Sequence, residues 1–462
     1  MTRDLFPSPV KTLQRALAVA GLILLSACGG GGSGGASGGG GGDPVSCSPD
    51  DVKSWLSSYF STDYFWYALS PRPSPFLANS VSDHFSALLY TGTDSNFPAD
   101  RWSRFESTES FNRFFGEGRT LGFGVSVAGL EVSRQPARPL YVRSVEPGSA
   151  AAAAGLVRGD SLLVVNGRAV SDLIAADDFT AFSATAVGQT LSLEWRTTAG
   201  ALRSAVLTAS IYAITPVPRA LTLSTPLGRR VGYVEVRNMV AQTAAPLEAA
   251  FSQFRADGVQ DIVLDLRYNG GGLVSMGATV ASLVGGTRVA GRTYASLLYN
   301  DRRATSNQSF LFTNPAPAAA ASVPRVFVLM GRRTCSASEQ VINGLQGAGI
   351  QVIGIGEASC GKPLGFVPVS DACGTTYSVV NFESVNGQRQ GRYFTGINAS
   401  CAVAESWTQP QGSTGDALVS AALSVADGGA CPVSADRQQP LSARRAGGLT
   451  IEPGERQGMI PR

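Results

Sequence analysis

From residue 230 onward the apolar residues alternate between two periods, and that alternation limits the folds open to the chain. Residues 231–236, 261–266, 325–330 and 351–355 read as strands, whereas 247–254, 273–283 and 336–345 carry helical spacing. Strands separated by helices pair in parallel, because a parallel neighbour needs a crossover connection. Ligands of such sheets bind just beyond the C-terminal ends of the strands. The chemistry of this chain is therefore expected in three loops: 267–272, 334–339 and 356–362.

The rest of the chain divides around this core. Residues 1–27 read as an export signal, with Arg3, Lys11 and Arg15 ahead of an apolar run at 16–25 that is too short to span a bilayer as a helix. Residues 28–42 begin at Cys28 and continue as a glycine-rich tether, whose root-mean-square reach is roughly 20 Å for a flexible coil. Leu25-Ser26-Ala27-Cys28 resembles the bacterial lipobox, which implies lipidation of Cys28 and anchoring in a bacterial cell envelope. Gly29 stands where many bacteria place the Asp that retains a lipoprotein in the inner membrane, so the outer membrane is the expectation. Residues 43–116 carry helical periodicity through Val52, Trp55, Leu56, Tyr59 and Phe60, and form a small helical domain. Residues 117–212 switch to short strands divided by glycine turns. Residues 213–430 make the α/β core, and 431–462 read as a poorly ordered tail.

Composition narrows the chemistry. Formal net charge is +3 and only 15% of residues are charged, with no basic run longer than two arginines. No electrostatic footprint for nucleic acid is present. A single histidine, His84, excludes a histidine-rich metal centre, and neither a metal nor a cofactor is expected. Only three of the 37 Lys plus Arg residues are lysines, Lys11, Lys53 and Lys362. Arginine does not deprotonate in proteins, so proton acceptors are scarce. Apart from Cys28 there are six cysteines, which allow 15 pairings in an exported protein. Cys360 and Cys373 would close a short loop, and that bridge is the expected one.

Two sets of motifs carry a family resemblance. Leu121-Gly122-Phe123-Gly124, then Val145-Glu146-Pro147-Gly148, Arg158-Gly159-Asp160 and Val165-Asn166-Gly167, resemble a PDZ domain. That resemblance makes Leu121, Gly122, Phe123 and Gly124 the loop that holds a peptide C-terminus. Further on, Asn269-Gly270-Gly271-Gly272, Ser336-Ala337-Ser338-Glu339 and Gly361-Lys362 follow successive core strands. In this order, behind a PDZ-like domain, they resemble the S41 serine peptidases, the C-terminal processing or tail-specific proteases. The resemblance implies a serine endopeptidase with Ser336 as nucleophile, Lys362 as general base, and the amides of Ala337 and Gly271 as oxyanion hole. It also implies protein or peptide substrates with free C-termini. A lysine can act as base only when neutral, which requires burial or cationic neighbours.

One departure bears on the base. The family generally carries a Gln four residues after the lysine, and here that position is Phe366, so another group, Glu339 among the candidates, has to position Lys362. The missing Gln supports an alternative, a degenerate PDZ-containing peptide-binding lipoprotein. A third possibility, an ester hydrolase, would recruit His84.

Overall fold

The computed structural model describes residues 42–315, 320–432 and 455–461. The expected export signal, Cys28 and nearly all of the glycine tether lie outside the described residues. Those residues all belong to one compact unit, and among them no helix is long and apolar enough to cross a membrane.

A six-stranded sheet organises the core, in the order Arg219–Ser224, Arg230–Glu235, Asp261–Asp265, Arg325–Met330, Gln351–Gly356 and Cys401–Ala402. The first pair is antiparallel and the others are parallel. Helices Ala244–Ala256, Val274–Gly285 and Ala337–Gly347 pack on one face, and Ala417–Ala426 covers the other. Burial on both faces explains why residues 261–265 are buried throughout. A second sheet, in the order Gln308–Leu311, Thr293–Tyr299, Val380–Val385 and Leu364–Phe366, stands beside the helices.

The PDZ-like region has the expected strands at Leu140–Val145, Ser161–Val165 and Thr190–Arg196, joined by Leu202–Thr208. The first strand stretch of this region is broken into Arg119–Gly122 and Val125–Val127. The break falls at Phe123-Gly124, where Gly124 has φ +79° and a β-carbon would meet Ser149 Cβ at 2.0 Å. The N-terminal part is helical at Pro49–Asp63, where Ser48 caps the helix by accepting from Asp51 N–H and Pro49 opens it. It also supplies a strand, Arg104–Ser107, paired with Thr375–Ser378 of the core region.

Cysteine pairing departs from the expectation. Cys360 bonds Cys335 rather than Cys373, and Cys373 bonds Cys47; the third bridge is Cys401–Cys431. The reason is topological: strands Arg325–Met330 and Gln351–Gly356 are parallel neighbours, so the loops leaving their C-terminal ends, with Cys335 and Cys360, emerge side by side. The tail differs as well, because Gly458–Ile460 forms a strand.

Candidate active site

Ser336 opens the helix Ala337–Gly347 with φ +61° and ψ −117°, a conformation that a residue with a side chain adopts at a cost. It is fully buried, and its Oγ makes no hydrogen bond among the described residues. Helix N-terminal amides and the aligned dipole behind them favour negative charge at this point.

Lys362 is also fully buried. Its Nζ donates to the carbonyl of Gln457 at 3.4 Å and lies 3.8 Å from the centre of the Phe366 ring. Burial, followed by the positive charge of Arg104, holds its pKa well below the usual lysine value, against smaller opposing effects of Asp100 and Glu339. Arg104 lies over the same Phe366 ring at 5.2 Å, and burial pulls its own pKa down to about 10. The other lysine described, Lys53, is bound to Ala78 O at 3.0 Å and Asp50 at 2.9 Å on the N-terminal helix. His84 is buried with Nε2 on Ser57 Oγ at 2.8 Å, so it makes no hydrogen bond to Ser336.

Glu339 joins the two loops. Its carboxylate accepts from Ser336 N–H at 2.9 Å, Gly361 N–H at 2.8 Å, Lys362 N–H at 2.8 Å and the Ser359 hydroxyl. Burial raises the Glu339 pKa, and these donors offset that only in part. Glu339 thus places the backbone of Lys362 rather than its ammonium group. Both carboxylate oxygens accept, so in Glu339→Gln one side would face donors with an NH2. We expect a stability loss of about 1–3 kcal/mol in urea denaturation, and a fall in kcat with KM nearly unchanged. Unchanged stability would remove Glu339 from this role.

Residues 230–396 match the family model of peptidase family S41, and residues 114–194 match that of the PDZ domain. An S41 peptidase match thus covers the α/β region around Ser336 and Lys362, behind a PDZ match. The chain is 27% identical over 264 residues to the carboxyl-terminal-processing protease of Synechocystis sp., an alignment covering 56% of this chain and 58% of that protein. To the chloroplastic C-terminal processing peptidase of Tetradesmus obliquus it is 26% identical over 298 residues, or 60% and 62% of the two chains. The alignments thus span about three fifths of the relatives' own length. In fold it is similar to a chain described as an S41 protease from Bacteroides fragilis, with TM-score 0.63 and 22% identity over 81% of this chain and 97% of that one.

Within the region matched to S41 the glycine loop is drawn tight against the loop that carries Ser336. A β-carbon at Gly271, where φ is +99°, would meet Ala337 N at 2.8 Å and Cys335 O at 3.0 Å. The Gly271 amide assigned to the oxyanion hole donates here to Asn269 Oδ1 at 2.7 Å. Asn269 therefore shapes the turn, and its Nδ2 anchors to Val236 O at 2.8 Å. Asp265 and Arg267 are structural: Arg267 is buried and paired with Asp265 at 2.9 Å and Asp416 at 2.8 Å.

The PDZ-like region docks on the core through charged and aromatic contacts. Arg158 reaches Glu405 at 2.6 Å and Tyr268 Oη at 2.8 Å, Arg237 pairs with Glu146 at 3.0 Å, and Tyr141 stacks on Trp407. A cleft of about 750 Å³ runs from Leu121, Gly122, Phe123 and Gly124 to Gly270 in the glycine loop. Sequence reasoning did not reach Arg104, the Cys335–Cys360 bridge or the segment from 455. Only Phe366 gave a signal, as a departure from the family pattern, and its ring covers the lysine it fails to hydrogen-bond.

Proposed function

We propose that this protein is a serine endopeptidase that cleaves protein or peptide substrates through a Ser336 acyl-enzyme, with Lys362 as general base and the PDZ groove holding substrate C-termini. The observation that carries the reading is the pair of buried loops. A strained serine at a helix N-terminus and a lysine whose pKa burial lowers are joined by one carboxylate and one disulfide. Neutral Lys362 takes the Ser336 proton as Oγ bonds the substrate carbonyl carbon. Negative charge then develops on the carbonyl oxygen, which faces the Ala337 amide at the helix N-terminus. The C–N bond breaks as Lys362 returns the proton to the leaving amine. Water, deprotonated by the same lysine, attacks the acyl carbon, and the bond to Ser336 Oγ breaks as Lys362 returns that proton to the serine oxygen.

For this step the amine must leave Gln457 O and turn to Ser336 Oγ, with which it makes no hydrogen bond here. That separation and Phe366 favour the second reading, a non-catalytic peptide-binding protein. A fluorophosphonate probe followed by peptide mass mapping tests the choice: an adduct on Ser336 supports the peptidase, and a probe confined to other serines under turnover conditions refutes it. The same proposal anchors the chain through lipid on Cys28. Cys28→Ala is expected to move the protein from the detergent phase to the aqueous phase in a Triton X-114 partition, and an unchanged partition would exclude the anchor.

A further inference from the structure

After 22 residues beyond Pro432, the chain returns to the core at Glu455. Gly458–Ile460 pairs in parallel with Gly271–Leu273, the glycine segment beside Ser336, and Gly458 N–H donates to Gly270 O at 2.9 Å. These two short strands form a sheet of their own. Each position from Glu455 to Ile460 has a partner in the rest of the chain. Glu455 pairs with Arg143 of the PDZ domain at 2.8 Å and with Arg333 of the nucleophile loop at 2.7 Å. Arg456 pairs with Glu106 at 2.6 Å. The Gln457 carbonyl takes the catalytic amine. Met459 is fully buried, with Sδ 3.5 Å from Gln340 Nε2 on the helix that Ser336 opens, and Ile460 is buried against Phe111, Phe115 and Val240.

A backbone strand laid on an open edge, with side chains in alternating pockets, is how extended peptides are recognised. Here the edge belongs to the oxyanion loop, and residues 455–457 line the same cleft that reaches the PDZ groove. A strand serving only to complete the core would have no reason to bring a carbonyl to the buried lysine.

We propose that residues 455–461 are an internal ligand seated in the peptide cleft, so that the pockets they fill are the substrate subsites and the cleft opens only when the segment leaves. The proposal rests on the assignment of Ser336 and Lys362. It makes the substrate class extended chains that run parallel to Gly271–Leu273. Such chains carry two successive apolar residues after a small one, with an acidic and a basic residue upstream. A β-carbon at 458 would meet only ordinary contacts, the nearest being Gly272 Cα at 3.4 Å, so alanine fits there as well as glycine.

The test uses a fluorescein-labelled peptide of sequence Glu-Arg-Gln-Gly-Met-Ile-Pro and three proteins, all carrying Ser336→Ala to prevent turnover. They are the intact chain, a chain ended after Pro432, and an intact-length chain with Met459→Asp and Ile460→Asp. Fluorescence anisotropy is expected to show binding at least 10-fold tighter to the two opened proteins than to the intact chain. Unlabelled peptide should raise their Tm, and a scrambled peptide should do neither. With Ser336 restored, opening should raise kcat/KM for a peptide substrate at least 10-fold. Equal affinity for intact and opened chains would overturn the proposal. So would unfolding of both opened proteins, since the segment would then be core rather than ligand. Tight binding to the opened proteins with no hydrolysis by any form would support the internal ligand and count against the peptidase chemistry instead.

Discussion

Lys362→Arg should lower peptide hydrolysis by at least about 10³-fold, the scale of a lost general base in a nucleophile–base pair. The substitution keeps a positive charge and removes the capacity to accept a proton. Arginine is also larger, and it would sit beside Arg104 in a buried site, so Lys362→Met is the companion variant: similar length, no charge, and the same expected loss. The wild-type rate should rise with pH through a value well below the ordinary lysine pKa of about 10.4 and then level off. That follows from the sign of the shift, because burial and Arg104 favour the neutral amine. Stability follows the same sign. Between the folded pKa and that of the unfolded chain, only the unfolded state binds the proton, so stability gains with rising pH across this window. Lys362→Met should flatten the dependence when urea midpoints are compared across the window. Full hydrolysis by the arginine variant would sink the pair.

Removing the nucleophile should cost about 10⁴-fold or more, and two replacements separate chemistry from strain. Ser336→Ala and Ser336→Gly are both expected to be inactive and to lose fluorophosphonate labelling. They should differ in stability. At φ +61° and ψ −117° a β-carbon is penalised, and strained conformations of this kind cost about 1–3 kcal/mol. The glycine variant is therefore expected to be the more stable of the two by about 1 kcal/mol or more in urea denaturation. Equal stabilities would mean that the turn before Ala337 stores nothing.

How much of this could be read in the sequence depended on how local each signal was. The core strands and helices from residue 231 to 356 were legible because each buries its own apolar pattern. The lysine stood out because a chain with three lysines places one directly after a core strand. The pairing of Cys335 with Cys360 was not legible, since adjacency of their loops follows from sheet order rather than spacing. Strands Thr293–Tyr299 and Val380–Val385 pair across more than 80 residues of chain, and neither was foreseen. Gly458–Ile460, flanked by glycine and proline residues, has little local preference for a strand, and exists as one because Gly271–Leu273 offers an edge. Phe366 was visible as a mismatch, but only packing shows its ring between Arg104 and Lys362 and its place in the apolar cluster with Trp55 and Phe60 of the N-terminal helix.

The bridge from Cys335 to Cys360 closes a loop with a sequence separation of 25, and in the chain-entropy account such closure is equivalent to about 3.5 kcal/mol of lost freedom in the unfolded ensemble. The residues it confines are the ones flanking Ser336 and Lys362. Much of the conformational entropy that two separate loops would otherwise surrender at each encounter with the proposed substrate is thus given up once, when the two thiols are oxidised, and every later encounter meets two loops already held side by side.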